Sequence, residues 1–211
     1  MKKFMLLVMV VISLVLVACG KGSTDVGDKS DISEQQNNKL IKASQLLTVE
    51  DASRILDVTM AIDEQKRDVS NPSELGSLST KYVTVPESYL FVIVDILQDD
   101  TLDSTNEDHK LIIDTGGIRS YNTSLKDIIG LNEFDLSIYD NAISVDGLGE
   151  WAYIWNNDNI TIAYKDYNVS VYIYNFPKGT AMSDEARTAW KIEKLTETGK
   201  AVLLKLTELS R

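Results

Sequence analysis

The sequence predicts an α+β fold, a mostly antiparallel sheet flanked by an N-terminal helix and a long C-terminal helix. Three patterns predict it. From Ala142 onward, apolar stretches alternate with Gly, Asn and Asp turns at the spacing of a β-meander. From Ala186 to Leu209 apolar residues recur at spacings of three and four, the stripe of an amphipathic helix. Ahead of both, Thr48-Val49-Glu50-Asp51 reads as a helix N-cap with an acid in the third helical position. Helix, strands, meander and helix in that order give layers of helix on sheet.

The elements follow in order. Val49, Ala52, Ile55 and Leu56 mark one face of the first helix. Val58–Ile62 reads as a short strand, and the polar stretch 63–79 as a loop. Tyr82–Val85 reads as extended chain ending at Pro86. Tyr89–Leu97 is apolar on nearly both faces, which predicts a central strand covered on both sides. The acidic stretch 98–109 reads as a loop, Leu111–Ile113 as a strand ended by Gly116-Gly117, and 123–130 as a short helix. The meander comprises Ile143–Asp146, a Gly147–Gly149 turn, Trp151–Trp155, an Asn156–Asn159 turn, Ile160–Lys165, an Asp166–Asn168 turn and Val169–Phe176. Ser183 caps the last helix, with Asp184 and Glu185 at its positive end. Its stripe is Ala186, Ala189, Trp190, Leu195, Gly199, Val202, Leu206 and Leu209. Gly199 inside it predicts a kink or a close backbone contact.

The N-terminus carries an address. Lys2 and Lys3 precede an apolar run from Phe4 to Val17, which fits a secretory signal and is shorter than the roughly 20 residues of a membrane-spanning helix. The run ends in Leu16-Val17-Ala18-Cys19, which resembles the lipobox of bacterial lipoproteins. That resemblance implies cleavage before Cys19 and diacylation of its sulfur, and two chains hold a membrane where one gives only marginal binding. Residues 1–18 are thus expected to be a lipoprotein signal peptide, 19–38 the lipidated Cys and a flexible polar linker, and 39–211 a single α+β domain. The expected location is the cell membrane, lipid-anchored and facing away from the cytoplasm. Cys19 is the sole cysteine, so no internal disulfide is available.

Charge narrows the partners. Of 21 Lys and Arg, Lys2 and Lys3 leave with the signal, so 19 basic residues face 32 acidic ones, a net charge near −13. Nucleic acid is excluded as a partner, because phosphate binding needs a basic stripe. A basic helix lying on anionic lipid is excluded on the same ground, so lipid on Cys19 and not charge is the expected membrane contact.

A second resemblance rests on Leu46-Leu47-Thr48-Val49-Glu50-Asp51-Ala52 with Ile55-Leu56, and on Val145-Asp146-Gly147-Leu148-Gly149-Glu150-Trp151-Ala152-Tyr153. These words, followed by a meander and a final helix, resemble small bacterial lipoproteins of unknown function with a PsbP-like α/β/α sandwich. The resemblance spans most of residues 44–209 and implies that sandwich fold, but no catalytic residues. Asp57 stands where a Gly often ends the first helix of that set.

Four places were weighed for chemistry. Leu111-Ile112-Ile113-Asp114-Thr115-Gly116 has the form of an aspartic-peptidase loop, in which an Asp at a strand end shares a proton with a second Asp. A second Asp-Thr-Gly or Asp-Ser-Gly is absent, so catalysis by Asp114 would need a dimer. The more ordinary reading is a strand running into a Gly-Gly turn. The stretch Asp99–Asp108 is rich in oxygen ligands but lacks the order of an EF-hand loop, and reads as a solvated loop. His109, the sole histidine, reads as a loop-edge residue without zinc partners or a nucleophile elbow. With no Gly-rich phosphate loop or dinucleotide fingerprint either, no cofactor is expected.

The fourth place is aromatic. Trp151, Tyr153 and Trp155 fall on one strand face by period two, Tyr172 and Tyr174 share a face of a neighbouring strand, and Tyr164 adds to them. Two readings compete. The rings are core beneath the C-terminal helix, the favoured expectation, or they form a face that binds a peptide, a glycan or an apolar ligand. The function that follows is a non-enzymatic envelope lipoprotein that binds an envelope protein or a small ligand. The alternatives are a dimeric peptidase using Asp114, and an inhibitor or immunity lipoprotein whose acidity suits a basic target.

Overall fold

The computed structural model describes residues 40–71, 75–130, 142–177 and 182–211. The signal, Cys19 and the linker lie outside them. Two short helices, α1 (Ala43–Leu46) and α2 (Val49–Leu56), open the chain. Thr48 caps α2 by accepting from the Asp51 N–H, and Asp57 ends it in the left-handed conformation that a Gly would take at no cost.

The strands are β1 (Met60–Ile62), β2 (Val69–Asn71), β3 (Ser77–Thr84), β4 (Phe91–Gln98), β5 (Ile143–Ser144), β6 (Trp151–Trp155), β7 (Asn159–Tyr164) and β8 (Tyr167–Tyr174). They form one antiparallel sheet in the order β1-β3-β4-β8-β7-β6-β5, with β2 pairing the outer edge of β3 beside β1. The expected α+β architecture is therefore present: a mostly antiparallel sheet containing the β6–β7–β8 meander, short N-terminal helices, and a long C-terminal helix laid on the sheet. β4 is central, between β3 and β8, as its two-sided apolar pattern predicts.

Four expectations are corrected. The stretch 63–79 holds β2 and the start of β3 where a loop was expected. Leu111–Ile113 is helical, not a strand. It lies in α3 (Glu107–Asp114), and a second helix, α4 (Gly117–Gly130), replaces the shorter one expected at 123–130. The signal for α3 was Asn106-Glu107-Asp108, a capping residue followed by two acids. The Asn106 side chain accepts from the Asp108 and His109 N–H groups. The last meander turn falls at Lys165–Asp166, with Tyr167 and Asn168 already in β8.

Alternation along each strand separates two faces. On one lie Val92, Val94 and Ile96 of β4, Val169, Val171 and Ile173 of β8, Ile160 and Ile162 of β7, and Ala152 and Ile154 of β6. The long helix α5 (Asp184–Leu209) buries Leu195, Val202 and Leu206 against this face, beside α1 and α2. Each fully buried aliphatic side chain contributes about 1.5–3 kcal/mol to folding. Gly199 marks the closest approach. A Cβ there would stand 3.2 Å from the Ile162 Cδ1 and 3.3 Å from the Ile160 Cδ1. Gly149 is forced by the turn ahead of β6, because its φ is +68° and a Cβ would overlap the Ala163 carbonyl at 2.2 Å. Lys191 of α5 pairs with Asp158 in the β6–β7 turn, and the buried Tyr82 hydroxyl donates to the Leu47 carbonyl.

Candidate functional site

The expectation that α5 covers the aromatic residues is overturned. Trp151, Tyr153 and Trp155 alternate with Ala152 and Ile154, and only the latter two join the core beneath α5. The register carries the aromatic face across the sheet, since cross-strand partners share a side. Trp155 pairs with Asn159, Asn159 with Tyr172, and Tyr172 with Ile93. Tyr174 pairs with Phe91. All five predicted residues, Trp151, Tyr153, Trp155, Tyr172 and Tyr174, therefore lie on the side opposite α5. Tyr164 does not. It alternates with Ala163 and lies on the α5 side, packed against the main core.

Helix α4 covers one end of this second face. The Asn122 amide donates to the Tyr167 carbonyl at 2.9 Å and accepts from Asn168 at 2.8 Å, while the Asn122 carbonyl accepts from the Trp151 indole at 3.2 Å. Leu125 packs on Trp151 and Ala163, and Ile118 on Leu97. Trp151 is thus the anchor of a helix rather than an open ring. Beyond it the rings continue. Tyr153 lies 5.8 Å from both Trp151 and Trp155, and Tyr172, Tyr174 and Phe91 stack in series at 6.2 and 4.8 Å. Tyr153, Tyr172, Tyr174, Phe91 and Ile93 are half-buried, while Trp155 is buried.

Between α4 and the Trp155–Tyr172 row lies a row of small polar side chains. By register it runs Tyr153, Thr161, Ser170, Asp95, Ser79. Thr161 and Ser170 share a hydrogen bond of 3.1 Å. The ring rows of β6 and β8 stand two strand spacings apart, about 10 Å, with only Asn159 and Thr161 of β7 between them. The result is a shallow trough with aromatic flanks and a polar floor.

Asp95, which the sequence reading passed over, continues this row onto β4, beyond the β8 rings and so outside the trough between β6 and β8. It is only 4% exposed, and its Oδ1 has no hydrogen-bond partner among the described residues. Burial pushes its pKa above the ordinary carboxylate range, opposed by hydrogen bonds from Ser79 and Asn71. The signal was legible: an Asp inside Phe-Val-Ile-Val-Asp-Ile-Leu is a charged side chain in a strand buried on both faces. Nearby, the Lys81 ammonium stands 4.3 Å from the Phe91 ring centroid, so these rings already hold one cation.

The other candidates resolve into structural roles. Asp114 is exposed on the last turn of α3, and the Thr115 hydroxyl bonds back to the Leu111 and Ile112 carbonyls. An aspartic-peptidase loop needs its Asp beyond a strand, which is not the local structure here. Within the acidic stretch Asp99 accepts from the Ile118 N–H at the start of α4 and Asn106 caps α3, while Asp103 accepts from Thr105 in an exposed turn. His109 is buried on α3 rather than at a loop edge, its Nδ1 accepting from the Asp103 N–H at 2.9 Å. Among the described residues no group of three His, Cys, Asp or Glu is placed to hold a metal, and no helix is long and apolar enough to cross a membrane. Compared with known family models, curated proteins and solved structures, the chain finds no match.

Proposed function

We propose that the chain is a membrane-anchored envelope lipoprotein, held by lipid on Cys19, whose folded domain works by binding rather than catalysis. The likeness to small lipoproteins with a PsbP-like sandwich belongs to the same reading. One observation carries it: an array of half-buried rings on the sheet face that α5 leaves alone, with a polar trough between them. Tyr and Trp bring large contact area at little cost in side-chain entropy, together with hydrogen-bonding edges, and this composition suits ligand surfaces. A sheet covered on both faces to build a core would place aliphatic residues here, as the opposite face does.

Two experiments test the reading. Expressed in a bacterium, the chain incorporates labelled palmitate and sediments with membranes, and Cys19→Ser loses both. Cys19→Ser that remains acylated ends the anchor reading. For the binding face, phenethyl alcohol, a small neutral aromatic, is titrated into the full chain in detergent while tryptophan emission is followed. A saturable change that Tyr172→Ala weakens supports binding at the trough, and the absence of any saturable change refutes it.

A further inference from the structure

We infer that the turn ahead of α3 is an acid-released latch with His109 as its trigger. The neutral ring accepts from the Asp103 N–H and holds the turn shut; the protonated ring gives up that bond and donates to the Asp103 carboxylate instead. The geometry fixes the first state. His109 is buried, and its Nδ1 lies 2.9 Å from the Asp103 nitrogen. A backbone N–H only donates, so Nδ1 carries no proton and the ring is neutral with its hydrogen on Nε2. An imidazolium donates from both nitrogens. A proton taken from water would bond the same Nδ1 lone pair that the Asp103 N–H occupies, setting donor against donor. The shut turn and the charged ring therefore exclude each other.

The second state has its acceptor in place. The Asp103 carboxylate is exposed and accepts from the Thr105 N–H and hydroxyl at 2.9 and 2.7 Å. Those bonds hold its pKa below the usual carboxylate range, and a charge on the nearby His109 ring lowers it further. The ring's other charged neighbours are Glu107, Asp108 and Lys110 on α3, and Asp99 and Asp100 in the short turn after β4. From β3 it meets only Gly76, where a Cβ would stand 3.0 Å from the His109 Cε1. Glu74 lies outside the described residues. The latch also has something to hold. The Asn106 N–H donates to the Asp103 carbonyl at 2.9 Å, and the Asn106 side chain caps α3. α3 in turn lays Ile112 on Leu97 and Ile118, with Leu75 and Leu102 beside them. Opening the turn loosens the cap and this small cluster, which is separate from the core beneath α5.

The test follows the ring nitrogens and amide exchange of the isotopically labelled full chain in detergent from about pH 8 to about pH 5, the span in which an imidazole changes charge. His109 is the sole histidine, so its ring signals have no rival. At the upper end the ring should carry its proton on Nε2 and the Asp103 amide should be protected. As the ring takes its second proton, the protection factor at Asp103 is expected to fall about tenfold, the worth of one hydrogen bond. The Thr105 amide shifts in the same step, while protection at Leu195 and Val202 of α5 stays as it was. In His109→Asn, whose side-chain oxygen accepts but does not titrate, Asp103 remains protected throughout. In Asp103→Asn, which weakens the acceptor for the charged ring, release needs more acid. The titration of the unaltered chain needs no variant, so the test stands even if one fails to fold. A neutral ring protonated on Nδ1, a ring that takes no second proton, or Asp103 protection that ignores the ring's charge overturns the latch. So does the same acid loss in His109→Asn. Release at an unchanged pH in Asp103→Asn overturns the exchange of partners.

Discussion

The two faces of one sheet have been built to different rules. On the face beneath α5, the side chains from β4, β6, β7 and β8 are Val, Ile and Ala, nearly all fully buried, and the helix approaches so closely that a Cβ at Gly199 would crowd Ile160 and Ile162. On the other face the same strands carry Trp, Tyr, Phe, Thr, Ser and one Asp, and among the described residues α4 packs on the end that Trp151 and Asn122 tie down. Alternation at period two lets a single strand serve both rules at once. The lesson is a division of labour: the aliphatic face supplies the cohesion, which frees the aromatic face to hold groups that cost stability.

That division is open to attack, starting where the effect is largest. Ile160→Ala, at the contact with α5, is expected to cost about 2–5 kcal/mol in urea unfolding. A cost no greater than that of trimming a ring on the other face would erase the contrast between the faces. Gly199→Val should cost about 1–3 kcal/mol, since the added methyls meet Ile160 and Ile162. Unchanged stability would mean that the helix does not press the sheet as described.

On the aromatic face the sign reverses. Asp95→Asn is expected to raise stability at neutral pH by about 1 kcal/mol, because it removes a buried charge with an unpartnered oxygen. The pH dependence follows from the raised pKa. The folded state binds the Asp95 proton more tightly than the unfolded chain does. Asp95 therefore favours folding fully below the unfolded carboxylate value of about 4, and loses that advantage as pH rises through its higher folded value. The gain from Asp95→Asn should thus grow over the interval above about pH 4 in paired unfolding curves. A gain that shrinks over that interval contradicts the burial argument. Tyr172→Ala should change stability least, by no more than about 1 kcal/mol, while binding to the trough is weakened.

The contrast also explains what the sequence made legible. Thr48, Ser183 and the α5 stripe announced their helices because capping and helical period are local signals. The five ring positions were legible by period two, but the side of the sheet on which they fall was not. That depends on which face α5 chooses, a decision made by Ile160, Ile162 and Val171 on other strands. α3 was missed because Leu111-Ile112-Ile113 has the look of a strand, and the Asn106 cap that overrules it sits in a stretch read as a loop. Asp95 was hidden by its own neighbours, an apolar run persuasive enough that its single acid drew no notice.

The most direct measurement maps the amide shifts of the isotopically labelled chain on addition of phenethyl alcohol. The account predicts changes concentrated at 153–161 and 170–174, with the α5 amides at 195–206 unmoved. Shifts centred on α5, or none that saturate, would contradict it.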